Sequence, residues 1–179
     1  MKKSTAKADF VQPILVLTII CLVMSLLLAV VNGVTKPIID KTEAAIAEAA
    51  RSEVLPGADG FAKLDVTLPE GSFVTEVYEA TNGAGYVFMI TCNGYGGKNT
   101  MNLICGIDAE GKIVDTKTLS HKETAGLGSK VTEDGFRSQF VGKDASLAGV
   151  DLISGATFSS TYYLEGIASA FEAYNIVTQ

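Results

Sequence analysis

The chain has no tryptophan, one histidine, three cysteines and four prolines in 179 residues. Each scarcity removes a class of chemistry. A single histidine, His121, cannot build a His-rich metal cage, and it stands in no zinc-binding spacing, so no metal site is expected. Basic residues are also few: 14 Lys and Arg face 20 Asp and Glu, giving a net charge of −6 and a pI near 4.8. Without a cluster of bases there is no footprint for a phosphate backbone, which excludes nucleic acid as a partner. Gly126-Leu-Gly-Ser-Lys130 is followed by no Gly-Lys-Ser/Thr, and no dinucleotide fingerprint opens a βαβ unit. Ser154-Gly155 lacks the flanking glycines of a nucleophile elbow, which leaves a hydrolase as a weak alternative. Internal repeats and low-complexity segments are absent.

What the chain does have is one long uncharged run, Pro13 to Val34. As a helix, these 22 residues rise about 33 Å, enough to cross a hydrocarbon core of about 30 Å. The run reads as a transmembrane helix whose neighbour is membrane lipid. Lys2, Lys3 and Lys7 precede it against one acid, Asp9, so the positive-inside rule puts the N-terminus in the cytoplasm. A cleaved signal peptide is the rival reading, but Val30-Val-Asn-Gly-Val34 offers no good small-x-small cleavage site, which favours an uncleaved anchor. With those three bases and one acid set aside, residues 13–179 carry a net charge of −8, which keeps the exported part soluble and off anionic headgroups.

After the span, Lys36-Pro37 reads as an exit, and Ile38 to Leu55 as an Ala- and Glu-rich helix ended by Pro56-Gly57. Four β-rich runs follow, 74–78, 85–92, 101–107 and 112–119, separated by Asn82-Gly83, Gly94 to Gly97 and Ala109-Glu-Gly111. This is the pattern of an antiparallel meander. Asp134 to Phe140 reads as a short helix and Phe158 to Ile176 as a longer one, with Leu164, Ile167, Ala168 and Phe171 facing the sheet and Ser159, Ser160 or Thr161 as the cap. The expectation is an α+β protein: a cytoplasmic segment 1–12, a transmembrane helix 13–34, a juxtamembrane helix or linker 35–56, and an extracytoplasmic domain 57–179 built on a twisted antiparallel sheet flanked by helices.

Two segments carry the chemistry. In Asp151-Leu-Ile-Ser-Gly-Ala-Thr-Phe-Ser-Ser160, a small-residue turn presents the Thr157 hydroxyl where a helix begins. Glycine between small residues lets a bulky phosphate approach the backbone, and a helix start offers unpaired N–H groups. The Ser154-Gly155-Ala156-Thr157 run resembles the flavinylation motif of the FMN-binding subunits of Rnf and Na⁺-translocating NADH:quinone oxidoreductase complexes. His121-Lys-Glu-Thr-Ala-Gly-Leu-Gly128 resembles the His-x-Glu-Thr-Pro-Gly-Leu-Gly segment of the same family, and Gly94-Tyr-Gly-Gly97 is a softer match. Ala125 stands where proline is expected and Ser159 where threonine is common; neither change removes a needed group.

The resemblance implies FMN joined to Thr157 through a phosphoester, with Ser154, Gly155, Ala156, Ser159 and Ser160 around the attachment. It also implies a pocket in which Glu123 and Thr124 make polar contacts, Leu127 covers a ring face, and Gly126 and Gly128 let backbone N–H groups come close. Thr157 has no adjacent base, so attachment requires a separate flavin transferase. The short chain suits an RnfG-like subunit, relaying electrons beside other subunits of a membrane redox complex with ferredoxin:NAD⁺ oxidoreductase activity and no catalytic acid or base of its own. Alternatives are the counterpart in the sodium-pumping quinone complex, a stand-alone extracytoplasmic flavoprotein, a non-redox phosphate-binding module, and a structural subunit without cofactor. Cys92 and Cys105 read either as a disulfide across a hairpin turning at residues 98 and 99 or as two buried thiols.

Overall fold

A computed structural model describes the backbone of residues 5–179, and the side chains from residue 11 onward except Asp40. The side chains of Lys2, Lys3, Lys7 and Asp9, which carry the expected orientation, lie outside the described part. The chain divides into two compact units, Met1–Ala45 and Ile46–Gln179.

The first unit is helical. Helix α1 is assigned over Thr5–Val54, with Pro13 and Pro37 inside it. The helix runs on through Lys36-Pro37, forgoing the one N–H bond that proline cannot donate. The apolar side chains from Val11 to Val34 are exposed, and this is a helix long and apolar enough to cross a membrane.

The second unit is a five-stranded antiparallel sheet in sequence order: β1 Phe61–Leu64, β2 Val74–Ala80, β3 Gly85–Gly94, β4 Gly97–Asp108 and β5 Ile113–His121. Alternation along the strands builds two faces. Phe88, Ile90 and Cys92 of β3, with Met101, Leu103, Cys105 and Ile107 of β4, belong to the main core. Val87 and Ile104 point the other way, onto Ala50, Val54 and Leu55 at the end of α1. A Cβ at Gly106 would overlap the Val54 carbonyl, so this glycine is what allows the α1 terminus to lie on β4.

The main core is covered by helix α2, Asp134–Arg137, a 3-10 turn Ser138–Phe140, and helix α3, Thr157–Val177. The α3 face is rotated from the expected one. Tyr163, Gly166, Ile167, Ala170, Phe171 and Ala173 are buried, whereas Leu164 and Ala168 are only partly covered. Gly166 lets the helix approach β3 closely, since a Cβ there would lie 3.1 Å from Ile90 Cγ2. Tyr163 goes inward because its hydroxyl donates to Thr116 Oγ1 at 3.0 Å and its ring packs between Phe136 and Phe140, both about 5 Å away between centroids.

Cys92 and Cys105 are both free and buried. The β3–β4 hairpin turns at Tyr95-Gly96, not at 98 and 99, so Cys92 pairs with Met101 and Cys105 with Phe88. Four residues of offset place the thiols roughly 14 Å apart along the sheet, beyond disulfide reach. Of the two readings, buried thiols is the one that holds.

Candidate functional site

The turn that opens α3 is built by glycine. Ala156 N–H donates to the Ile153 carbonyl at 2.9 Å, and Gly155 occupies the third turn position at φ +81°, a conformation costly for any residue with a Cβ. Ser160 pins the turn from inside: its hydroxyl accepts from Ile153 N–H at 3.3 Å and donates to the Ala156 carbonyl at 2.8 Å. Neither Ser159, Ser160 nor Thr161 caps the helix. The cap position is Ala156, with no side-chain cap bond, because the two buried serines are committed elsewhere. The amides of Thr157, Phe158 and Ser159 consequently have no partner among the described residues. The exposed Thr157 hydroxyl is equally unbonded.

These groups open onto a cavity of about 330 Å³ lined by residues 95, 123, 124, 127, 128 and 155 to 159, within the size range of small-molecule sites. Its wall is organised around Glu123, which is 8% exposed. The carboxylate accepts the Tyr95 N–H at 3.0 Å through one oxygen and the Ser159 hydroxyl through the other. The second bond joins the two sequence motifs directly. A Cβ at Gly94 would overlap Glu123 Oε1, and one at Gly128 would overlap Oε2 and approach Ser159 Oγ to 2.7 Å. Both glycines thus make room for the carboxylate, a role for Gly128 different from the expected approach of its N–H to a ligand.

Of the residues expected at the site, the cavity brings together Glu123, Thr124, Leu127, Gly128, Gly155, Ala156, Thr157 and Ser159. Ser154 is exposed at the second position of the turn, and Ser160 lies wholly inside. Gly126 is exposed and outside the lining, at φ +75° with its N–H bonded to Ser129 Oγ at 2.9 Å, shaping the loop that carries Leu127. His121 is also local: its Nδ1 accepts the Glu123 N–H at 3.2 Å.

Two further lining residues are absent from the expected set. Tyr95 and Phe158 are 71% and 66% exposed, with ring centroids 6.4 Å apart. With Leu127, 52% exposed, they form an apolar rim that no packing need of the core explains. The available signal was an aromatic set between glycines at Tyr95 and another directly after Thr157. A planar apolar ring against this rim, with a phosphate at the bare helix start, suits both halves of the cavity.

Fold and cavity define a ligand-binding α+β domain whose chain also carries a helix fit to cross a membrane. Residues 94–172 match the FMN-binding domain family. Beyond that domain, similarity to known proteins extends over nearly the whole chain. It is 27% identical over 175 residues to the G subunit of the proton-translocating ferredoxin:NAD(+) oxidoreductase complex of Clostridium ljungdahlii, covering 90% of each chain. It is 28% identical over 176 residues to the G subunit of the ion-translocating oxidoreductase complex of Methanosarcina acetivorans, covering 92% of this chain and 94% of that one. The corresponding protein of the Na(+)-translocating ferredoxin:NAD(+) oxidoreductase complex of Acetobacterium woodii is 27% identical over 187 residues, 89% of each. The chain thus carries an FMN-binding domain match over residues 94–172, and its homologues are RnfG subunits of ion-translocating oxidoreductase complexes.

Proposed function

We propose that this chain is the FMN-carrying electron-transfer subunit of an Rnf-type, ion-translocating ferredoxin:NAD⁺ oxidoreductase, with the flavin joined to Thr157 by a phosphoester. The observation that carries the reading is the Thr157 hydroxyl, free and exposed at a helix start with three unpaired amides, at the mouth of an apolar-rimmed cavity. FMN supplies the redox chemistry. The protein supplies position: the α3 amides face the phosphate, Tyr95, Leu127 and Phe158 cover the ring, and Gly155 holds the turn that presents Thr157.

Attachment exchanges the Thr157 O–H proton for a bond from Oγ1 to phosphorus, while the leaving group of an activated flavin nucleotide departs. Among the described residues, no side chain lining the cavity places a base on that hydroxyl, so a flavin transferase provides it. The helix over Pro13 to Val34 anchors the chain, with the N-terminus cytoplasmic and the FMN domain outside, where a tether prevents loss of the cofactor by dilution. The other subunits of the complex supply and accept the electrons.

The test is expression of the full chain in membranes together with a flavin transferase, followed by denaturing electrophoresis. A fluorescent flavin band at the mass of the chain is expected, and Thr157→Ala is expected to be dark. A band that persists in Thr157→Ala contradicts the attachment site, and a dark wild type contradicts covalent attachment.

A further inference from the structure

Glu123 is the only charged side chain that is buried among the described residues. No lysine, arginine or histidine among them pairs with it; the ion pairs are Lys63–Glu76, Lys117–Glu53 and those of Arg137. Burying a carboxylate without a cation is costly, and an apolar or amide side chain of similar size would serve stability better. The fold nevertheless accommodates it twice over, by omitting side chains at Gly94 and Gly128, the two positions where a Cβ would overlap its oxygens. Its two hydrogen bonds come from two different elements, the Tyr95 amide in the β3–β4 turn and the Ser159 hydroxyl in the first turn of α3. A carboxylate has about four acceptor positions, so two are left over at a group that itself lines the cavity.

We propose that Glu123 is a positioning and tuning residue of the flavin site. Through Tyr95 and Ser159 it fixes the hairpin turn against the start of α3, setting the spacing between the rim residues Tyr95 and Phe158. Its uncompensated charge on the cavity wall opposes the negative charge that reduction adds to a flavin seated there, and so lowers the flavin midpoint potential. This role rests on the proposed flavin function. It departs from the expectation that Glu123 contacts the flavin as a simple polar ligand, since its bonds are to the protein.

The test uses the full chain flavinylated in membranes and solubilised in detergent, as wild type, Glu123→Gln and Glu123→Ala. Glutamine preserves the shape: its oxygen accepts from Tyr95 N–H and its NH₂ donates to Ser159 Oγ, so only the charge is lost. In a spectroelectrochemical titration, Glu123→Gln is expected to raise the midpoint potential while leaving the melting temperature near that of wild type. In hydrogen exchange, the Tyr95 amide is expected to exchange about tenfold faster or more in Glu123→Ala and to return toward the wild-type rate in Glu123→Gln. An unchanged potential in Glu123→Gln overturns tuning, and an unchanged Tyr95 rate in Glu123→Ala overturns positioning. If intact mass shows that the wild type carries no covalent flavin, the attachment reading fails, and tuning with it, before any variant is compared; positioning is still judged by the exchange rate.

Discussion

Gly128→Ala is the substitution whose cost the geometry fixes most directly. The new methyl group would overlap Glu123 Oε2 and lie 2.7 Å from Ser159 Oγ, so the carboxylate must move. Overpacking of this kind costs about 1–3 kcal/mol. Displacing Glu123 also breaks the Ser159 bond, a hydrogen bond to a charged group worth about 1.5–3 kcal/mol. Together the loss is about 3–5 kcal/mol, which lowers the melting temperature of a unit of this size by roughly 10–15 °C. The assay is thermal unfolding of the full chain in detergent, followed by near-ultraviolet circular dichroism. The sharper test is the double variant. In a Glu123→Ala background the carboxylate is gone, and only the Ser159 hydroxyl, released from its bond, and the Cβ of residue 123 still meet the new methyl group, so Gly128→Ala should cost about 2 kcal/mol less than in wild type. Costs that simply add would refute the claim that Gly128 exists to admit the Glu123 carboxylate.

Gly155→Ala meets open space, so its cost is conformational alone, about 1–2 kcal/mol for a Cβ at φ +81°, and urea unfolding should find it clearly milder than Gly128→Ala. Tyr95→Ala and Phe158→Ala remove exposed rings and should change stability by under about 0.5 kcal/mol, yet open the flavin to iodide quenching; unchanged quenching would remove them from the site. Burial pushes the Cys92 thiol from about 9 up to about 12 and moves Cys105 in the same direction. A raised pKa favours the folded state while the unfolded thiol is still protonated, so this contribution is whole below about pH 9 and is lost as pH climbs toward 12. Native protein should accordingly resist alkylation at both thiols, and urea midpoints should fall through that alkaline window.

Four of the five strands were legible because β-rich runs broken by Asn-Gly and Gly-rich turns leave few alternatives to a meander; β1, four residues at the sheet edge, was too short to stand out. The 151–160 segment was legible because a small-residue turn leads straight into a helix start and presents the Thr157 hydroxyl there. Less legible was whatever depended on distant partners. The α3 face could not be phased from apolar periodicity, since Gly166 and Tyr163 are buried by a close approach to β3 and by the Thr116 hydroxyl. The same is true of Ser159, which reads as a helix cap but bonds a carboxylate 36 positions away. The hairpin register moved with its turn, from residues 98 and 99 to Tyr95-Gly96, and that shift is what parts Cys92 from Cys105. The continuity of α1 through Pro37 was hidden because proline usually ends or kinks a helix.

The proposed function requires covalent flavin on Thr157. The tryptic peptide that begins at Asp144, after Lys143, contains Thr157 and its neighbouring hydroxyls without an internal lysine or arginine among them. Mass spectrometry of that peptide, from protein made with its transferase, should show the mass of FMN less one water, localised by fragmentation to Thr157 and lost in Thr157→Ala. An unmodified peptide, or flavin localised to Ser154, Ser159 or Thr161, would contradict it.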